Sequence, residues 1–218
     1  MPRAYDAREG ERPIFDALLD ARDRHGGNKP ILEDQDRNPL TYTGLVRAAF
    51  VLGRKIADMT APKERVGVLL PSSSGGVVTF FGLHAFGRVP VMLNFTSGVR
   101  NLKAALATGQ VKIVLTARRF IEQAKLEDLV AELEKDAKIV WLDDVRASIK
   151  LKDKLFGLVA GFFPRAFRAP LKATDPGVIL FTSGSFGAPR GVVLAHRNVV
   201  SNVAQIAAHI ELDPDWVF

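Results

Sequence analysis

The sequence predicts an α/β fold in which a largely parallel, doubly wound sheet carries helices on both faces. Three observations predict it. From Val66 onward, short apolar runs alternate with segments of helical apolar spacing, the order expected of buried strands joined by crossover helices. A glycine and hydroxyl loop, Thr182 to Gly191, is caught between two further apolar runs, Val178 to Phe181 and Val192 to Leu194, which read as buried strands. At 218 residues and 47% hydrophobic content, the chain can fill the core of one large domain or two small ones.

In order, Pro13 to Arg24 reads as a helix with Pro13 in its first turn and Ile14, Phe15, Leu18 and Leu19 on one face, ended by Gly26 and Gly27. Pro30 to Glu33 and Leu40 to Tyr42 read as a hairpin around Asp34 to Asn38. Thr43 is expected to cap a helix carrying Leu45, Ala49, Leu52 and Ile56. Val66 to Leu70, Val89 to Leu93, Val111 to Leu115 and Ile139 to Leu142 are the strand runs. Between them lie helices led in by Ser72 to Ser74, from about Ser97 to Thr108 with Gly109 closing it, and from Leu126 to Glu134. His196 starts a last helix whose Val199, Val203, Ile206 and Ile210 form one apolar stripe.

The loop has the chemistry of an anion cradle. Its glycines let backbone N–H groups face inward, Thr182, Ser183 and Ser185 add hydroxyl donors, and Arg190 adds a fixed positive charge. It is no Walker loop, because no Gly-Lys-Ser/Thr follows, and it lacks the GxGxxG of dinucleotide folds. Other candidates read first as structural: His84 as packed among Phe80, Phe81 and Phe86, Ser72 to Ser74 as a helix cap. The four histidines are scattered, so no metal site is assigned.

Phe181-Thr182-Ser183-Gly184-Ser185-Phe186-Gly187-Ala188-Pro189-Arg190-Gly191 resembles the signature of the adenylate-forming superfamily, which reads TSGS, then Thr or Glu, then Gly-x-Pro-Lys-Gly. Phe186 stands where relatives carry Glu or Thr, and Arg190 where they carry Lys. Arg88 to Thr96, Trp141 to Arg146 and Val193 to Asn198 are similar to segments of the acyl-acyl-carrier-protein synthetase half of bacterial 2-acylglycerophosphoethanolamine acyltransferases, a branch close to fatty acyl-CoA ligases. The resemblance implies an N-terminal fragment of an ATP-dependent fatty acyl ligase that works with Mg2+ through acyl-AMP. Its partners would be a fatty acid and a thiol on acyl carrier protein or CoA. It carries the ATP phosphate role to Thr182, Ser183, Gly184, Ser185, Gly187, Arg190 and Gly191; no catalytic residue is assigned.

Asp213 to Asp215 reads as a turn and Trp216 to Phe218 as the opening of a strand. The ribose-binding acid, the Thr-Glu segment and the C-terminal lysine of such enzymes are not located here, so the chain alone is expected to be inactive. Residues 1–218 divide into a helix-hairpin region at about 12–60, a sheet region at about 64–145, a basic amphipathic segment at about 146–172 and a signature loop unit at about 175–210. A second reading is a non-catalytic module of the same ancestry that binds nucleotide or docks a membrane or carrier protein.

Charge narrows the partners. Arg146, Lys150, Lys152, Lys154, Arg165, Arg168 and Lys172 with the single acid Asp153 make one stretch that equals the net charge of the whole chain, +6. One local basic patch argues against a nucleic-acid surface spread over the fold. Leu151 to Arg165 mixes apolar residues with flanking cations, which suits a helix at an anionic membrane surface, a helix packed on the sheet with a solvated basic end, or a dock for an acidic carrier protein. With no cysteine, no signal-like N-terminus and no apolar run of about 20 residues, the expected place is the cytoplasm, or the periphery of the membrane's inner face.

Overall fold

The structure is a computed structural model and describes residues 6–33, 39–182, 189–210 and 217. A 3-10 turn at Ala7–Gly10 leads to helix α1, Ile14–His25, with Pro13 at the capping position just outside it and Gly26, at φ 91°, ending it. Strands β1 (Pro30–Glu33) and β2 (Pro39–Thr41) pair antiparallel, and their turn, 34–38, lies outside the described residues. Helix α2, Tyr42–Ala57, begins two residues earlier than a Thr43 cap would allow. Thr41 is therefore its cap, with Oγ1 accepting from the Gly44 N–H at 3.1 Å, while Thr43 donates its own N–H to the Gly27 carbonyl.

The alternating pattern then follows: β3 (Arg65–Val68), α3 (Ser74–Ala85), β4 (Val89–Met92), a 3-10 turn (Phe95–Ser97), α4 (Val99–Gly109) and β5 (Ile113–Thr116). Next come α5 (Arg118–Ala124), α6 (Glu127–Leu133), β6 (Lys138–Trp141), α7 (Leu142–Ala147), α8 (Leu151–Phe162) and α9 (Pro164–Phe167). The hairpin β7 (Pro176–Thr182) and β8 (Arg190–Ala195) precedes α10, His196–His209. Ser73 caps α3, its Oγ accepting from the Gly76 N–H at 3.2 Å. Gln110, at φ 53°, closes α4 in the left-handed conformation, not Gly109. Gly109 is needed for space instead, since a Cβ there would lie 3.1 Å from a Val111 methyl.

The six-stranded sheet runs β6-β5-β3-β4-β7-β8, parallel except for β8, which turns back along β7 at the edge. Successive residues of one strand feed opposite faces. Val114 joins Leu102, Leu106, Leu129, Val130 and Leu133 in a core under α4 and α6, whereas Val66, Val68, Ile113 and Leu115 meet Ile56, Leu83 and Val145 on the other face. Helices thus cover both sides, as the sequence predicts.

Outside α2 and α3 lies a further layer, where α1 and α8 close a third core around Phe15, Leu19, Phe50, Ala85 and Ala160. The α2–α3 crossing is made by two glycines: a Cβ on Gly53 would stand 2.4 Å from the Gly82 carbonyl oxygen. Arg88 locks the ends of these helices. It is 7% exposed, and its guanidinium donates to the carbonyls of Ala57 (3.2 Å), Thr60 (2.5 Å) and Phe86 (2.5 Å) and to the Thr60 hydroxyl (3.0 Å). Burial lowers its pKa, and the nearby Glu64 opposes this.

Beyond the Thr41 cap and the Gln110 closure, two further sequence readings are corrected. Val192 and Val193 on β8 are exposed rather than buried, because β8 is the sheet's edge strand. Helix α8 packs on α2, not on the sheet.

Candidate functional site

The β7–β8 hairpin presents the signature segment. Its root is buried at Gly177, Val178 and Ile179, with Ile179 opposite Val91 of β4. From there the two strands stay in register to their ends, Phe181 opposite Gly191 and Thr182 opposite Arg190. Gly191 leaves room for the Phe181 ring, whose Cε1 would lie 3.2 Å from any Cβ added there, and the same ring reaches Gly109 at the end of α4. A half-buried aromatic wedge thus fixes the hairpin just below its mouth.

Thr182 and Arg190 are both exposed and face each other across that mouth, so a hydroxyl donor and a guanidinium flank residues 183–188. Of the expected phosphate-binding residues, Thr182, Arg190 and Gly191 are thereby brought together; Ser183, Gly184, Ser185 and Gly187 lie outside the described residues, as does Phe186. Arg190 makes no ion pair among the described residues, which leaves its fork available to an anion.

Topology adds neighbours that the sequence did not assign. The carboxyl end of β7 lies beside that of β4, and β4 beside β3, so the turns leaving these strands gather on one edge, the position where open α/β sheets bind ligands. After β4 comes Asn94, whose Oδ1 accepts from the Thr96 N–H (3.0 Å) and hydroxyl (2.8 Å); after β3 comes the Ser72 to Ser74 cap of α3. A shallow hollow lined by Arg65, Val89, Asp175 and Pro176 sits at the opposite, amino-terminal edge, away from the hairpin mouth.

His84 and His196 are not at the mouth. They form a buried pair with ring centroids 5.1 Å apart, between α3 and the start of α10. His196 Nδ1 accepts from the Ile14 N–H at 3.3 Å, so the proton sits on Nε2. Desolvation lowers both pKa values, that of His84 well below the usual imidazole range with a further push from His196, that of His196 against an opposing pull from Asp175. Among the described residues no three His, Asp or Glu side chains converge as metal ligands, and no helix is long and apolar enough to cross a membrane.

The described part of the mouth offers donors and a cation but no carboxylate, which fits the phosphates of ATP and places no ligand for Mg2+.

Known proteins share this fold. 4-Coumarate–CoA ligase 2 of Petroselinum crispum is 30% identical over 146 residues, 65% of this chain and 25% of the relative. VinN in complex with 3-methylaspartate superposes with a TM-score of 0.74 at 23% identity, over 93% of this chain and 52% of its own. o-Succinylbenzoate CoA synthetase (MenE) from Bacillus subtilis, in complex with the acyl-adenylate intermediate OSB-AMP, superposes with a TM-score of 0.70 at 15% identity, over 93% and 47%. The chain thus spans about half of those two structures and a quarter of the plant ligase. The AMP-binding enzyme family model matches residues 19–218, so a hairpin that holds Thr182 opposite Arg190 at the carboxyl edge of a parallel sheet belongs to a member of the AMP-binding, adenylate-forming family.

Proposed function

We propose that residues 1–218 form the N-terminal part of the AMP-binding domain of an ATP-dependent acid–thiol ligase, with a fatty acid as substrate and acyl carrier protein or CoA as acceptor. The observation that carries the reading is the Thr182–Arg190 register at the hairpin mouth, which sets a hydroxyl and a cation on either side of the signature segment. Fatty acyl specificity rests on the sequence similarity of Arg88 to Thr96, Trp141 to Arg146 and Val193 to Asn198 to acyl-carrier-protein synthetases.

In this reading, Thr182, Ser183, Gly184, Ser185, Gly187, Arg190 and Gly191 would hold the ATP phosphates, whose charge a bound Mg2+ would offset. The substrate carboxylate attacks the α-phosphorus in line, the bond to pyrophosphate breaks, and acyl-AMP results. A thiol then attacks the acyl carbonyl, and AMP leaves. What the residues of this chain supply is positioning and electrostatic stabilisation of charge spreading onto pyrophosphate. Fatty acids partition into bilayers, so the reading places the enzyme in the cytoplasm with a peripheral hold on an anionic membrane.

The test is ATP–pyrophosphate exchange by the full-length protein with fatty and with aromatic acids. Arg190→Ala should cut exchange by about tenfold or more, and Arg190→Lys should keep most of it, because the charge matters more there than the fork. Unchanged exchange in Arg190→Ala would refute the phosphate role; exchange with aromatic acids alone would refute the fatty acyl substrate.

A further inference from the structure

Helix α8 is built inside out. Its inward side carries its small residues: Gly157 and Gly161 lie so close to α2 that an added Cβ would meet Val51 at 2.3 Å and Arg47 at 2.5 Å, and Ala160 is fully buried between them. Asp153 anchors the same side. It is buried, it accepts from the Lys150 N–H at 2.9 Å and it pairs with Lys55 Nζ at 2.9 Å, which together hold its carboxyl below the usual range. Apart from Phe156, whose ring packs edge-on against Phe50 at 6.4 Å, the large apolar side chains lie on the other side: Leu151 is 81% exposed and Phe162 64%, its ring met by the Arg47 guanidinium at 5.3 Å, with Leu155, Leu158 and Val159 exposed between them and Phe163 at the end 66% exposed.

At 3.6 residues per turn, Leu151, Leu155, Leu158, Val159 and Phe162 fall within an arc of about 100°, with Lys152 bordering it on one side and Lys154 on the other. Both lysines are exposed and make no ion pair among the described residues. The arginines that follow are committed inward, Arg165 to Asp20 (2.9 Å) and Asp23 (2.8 Å), and Arg168 to Asp16. Among the described residues, Lys152 and Lys154 are therefore unpaired charges directly beside the stripe.

From this we infer that the outer face of α8 is an interfacial membrane-docking surface for anionic bilayers, with Leu151, Leu155 and Phe162 entering the headgroup boundary and Lys152 and Lys154 snorkelling to lipid phosphates. Charge complementarity selects the occupant. A second copy of this face would set lysines against lysines. The stripe is a ridge, with Leu151, Leu155 and Phe162 along the middle of its arc the most exposed, whereas protein partners seat their anchors in pockets. The inference supplies the membrane partner of the ligase reading, but the binding needs neither ATP nor acid.

The experiment is co-sedimentation of the protein, without nucleotide, with vesicles of phosphatidylcholine alone and of phosphatidylcholine with phosphatidylglycerol. Binding to the mixed vesicles should be at least tenfold tighter and should fall as salt rises. Leu155→Ser/Phe162→Ser and, separately, Lys152→Glu/Lys154→Glu should each weaken it at least tenfold while the far-UV circular dichroism stays that of the parent, since all four side chains are solvent-exposed. Equal binding to both vesicle types, binding unaltered in either double variant, or no binding at all would overturn the inference. So would self-association that Leu155→Ser/Phe162→Ser abolishes, or capture of an acidic carrier protein by the same face in place of lipid. None of these outcomes touches adenylation, which pyrophosphate exchange reads separately.

Discussion

Replacing His84 by Leu tests the buried histidine pair. His84 is 1% exposed, and neither ring nitrogen has a hydrogen-bond partner among the described residues; the ring is held edge-on by Phe80 at 4.5 Å and by His196. An unpaired buried polar group costs about 1–3 kcal/mol, and Leu fills a similar volume without it, so His84→Leu should be neutral or stabilising at pH 7.5. The acid side is more telling. The folded-state pKa lies well below that of the free imidazole, so the neutral ring's contribution is complete above about pH 6.5 and is lost as pH falls, because the unfolded chain takes up a proton that the folded chain refuses. Between pH 7.5 and 5.5 that linkage is worth about 1.4 kcal/mol for one ring that stays neutral. Urea unfolding of parent and variant at both pH values isolates it, since groups that do not interact with His84 cancel in the double difference. The parent should lose about 1.4 kcal/mol more than the variant. An equal loss in both would refute the reasoning.

Gly53→Ala should separate α2 from α3, because the new methyl must displace the Gly82 carbonyl, and should cost about 1–3 kcal/mol in denaturant unfolding; an unchanged midpoint would mean that the crossing is looser than its geometry. Arg88→Met keeps the length of the side chain but leaves the Ala57, Thr60 and Phe86 carbonyls without their donor, so a loss of about 2–4 kcal/mol is expected, with Arg88→Lys recovering only part. A variant as stable as the parent would show that solvent satisfies these carbonyls.

Much of this fold is legible because its strands are short apolar runs, and a run such as Val66 to Leu70 or Val111 to Leu115 suits little except a strand covered on both sides. What escaped was set by contacts distant in sequence. Helices α5 and α7 are short, and each is fixed by the other: Arg118 forks onto Asp144 at 2.7 and 2.8 Å, its N–H reaches Asp143 at 2.9 Å, and its guanidinium lies 5.0 Å from the Trp141 ring. Nothing local in Arg118–Ala124 announces that partnership. Nothing local to Arg88 shows its burial until its three carbonyls are assembled from the ends of α2 and α3. The Thr41 cap was missed by two residues for a simpler reason: both threonines can cap, and only the antiparallel pairing of β2 with β1 decides where the strand must stop.

The site divides along the same line. Residue types told the chemistry of the 182–191 segment, because glycines, hydroxyls and a guanidinium between two strands suit an anion, but only the register shows that Thr182 and Arg190 stand opposite each other. For α8 the sequence held the right composition and left three readings open, since a stripe of Leu and Phe beside lysines packs inward in most soluble helices. The glycines decide. Gly157 and Gly161 admit α2 at a distance no larger side chain allows, which commits the small face inward and leaves the large apolar face outward. A helix that buries glycine and exposes leucine and Phe162 has given up apolar burial that the opposite orientation would recover, and the proposed bilayer on the exposed side would return it.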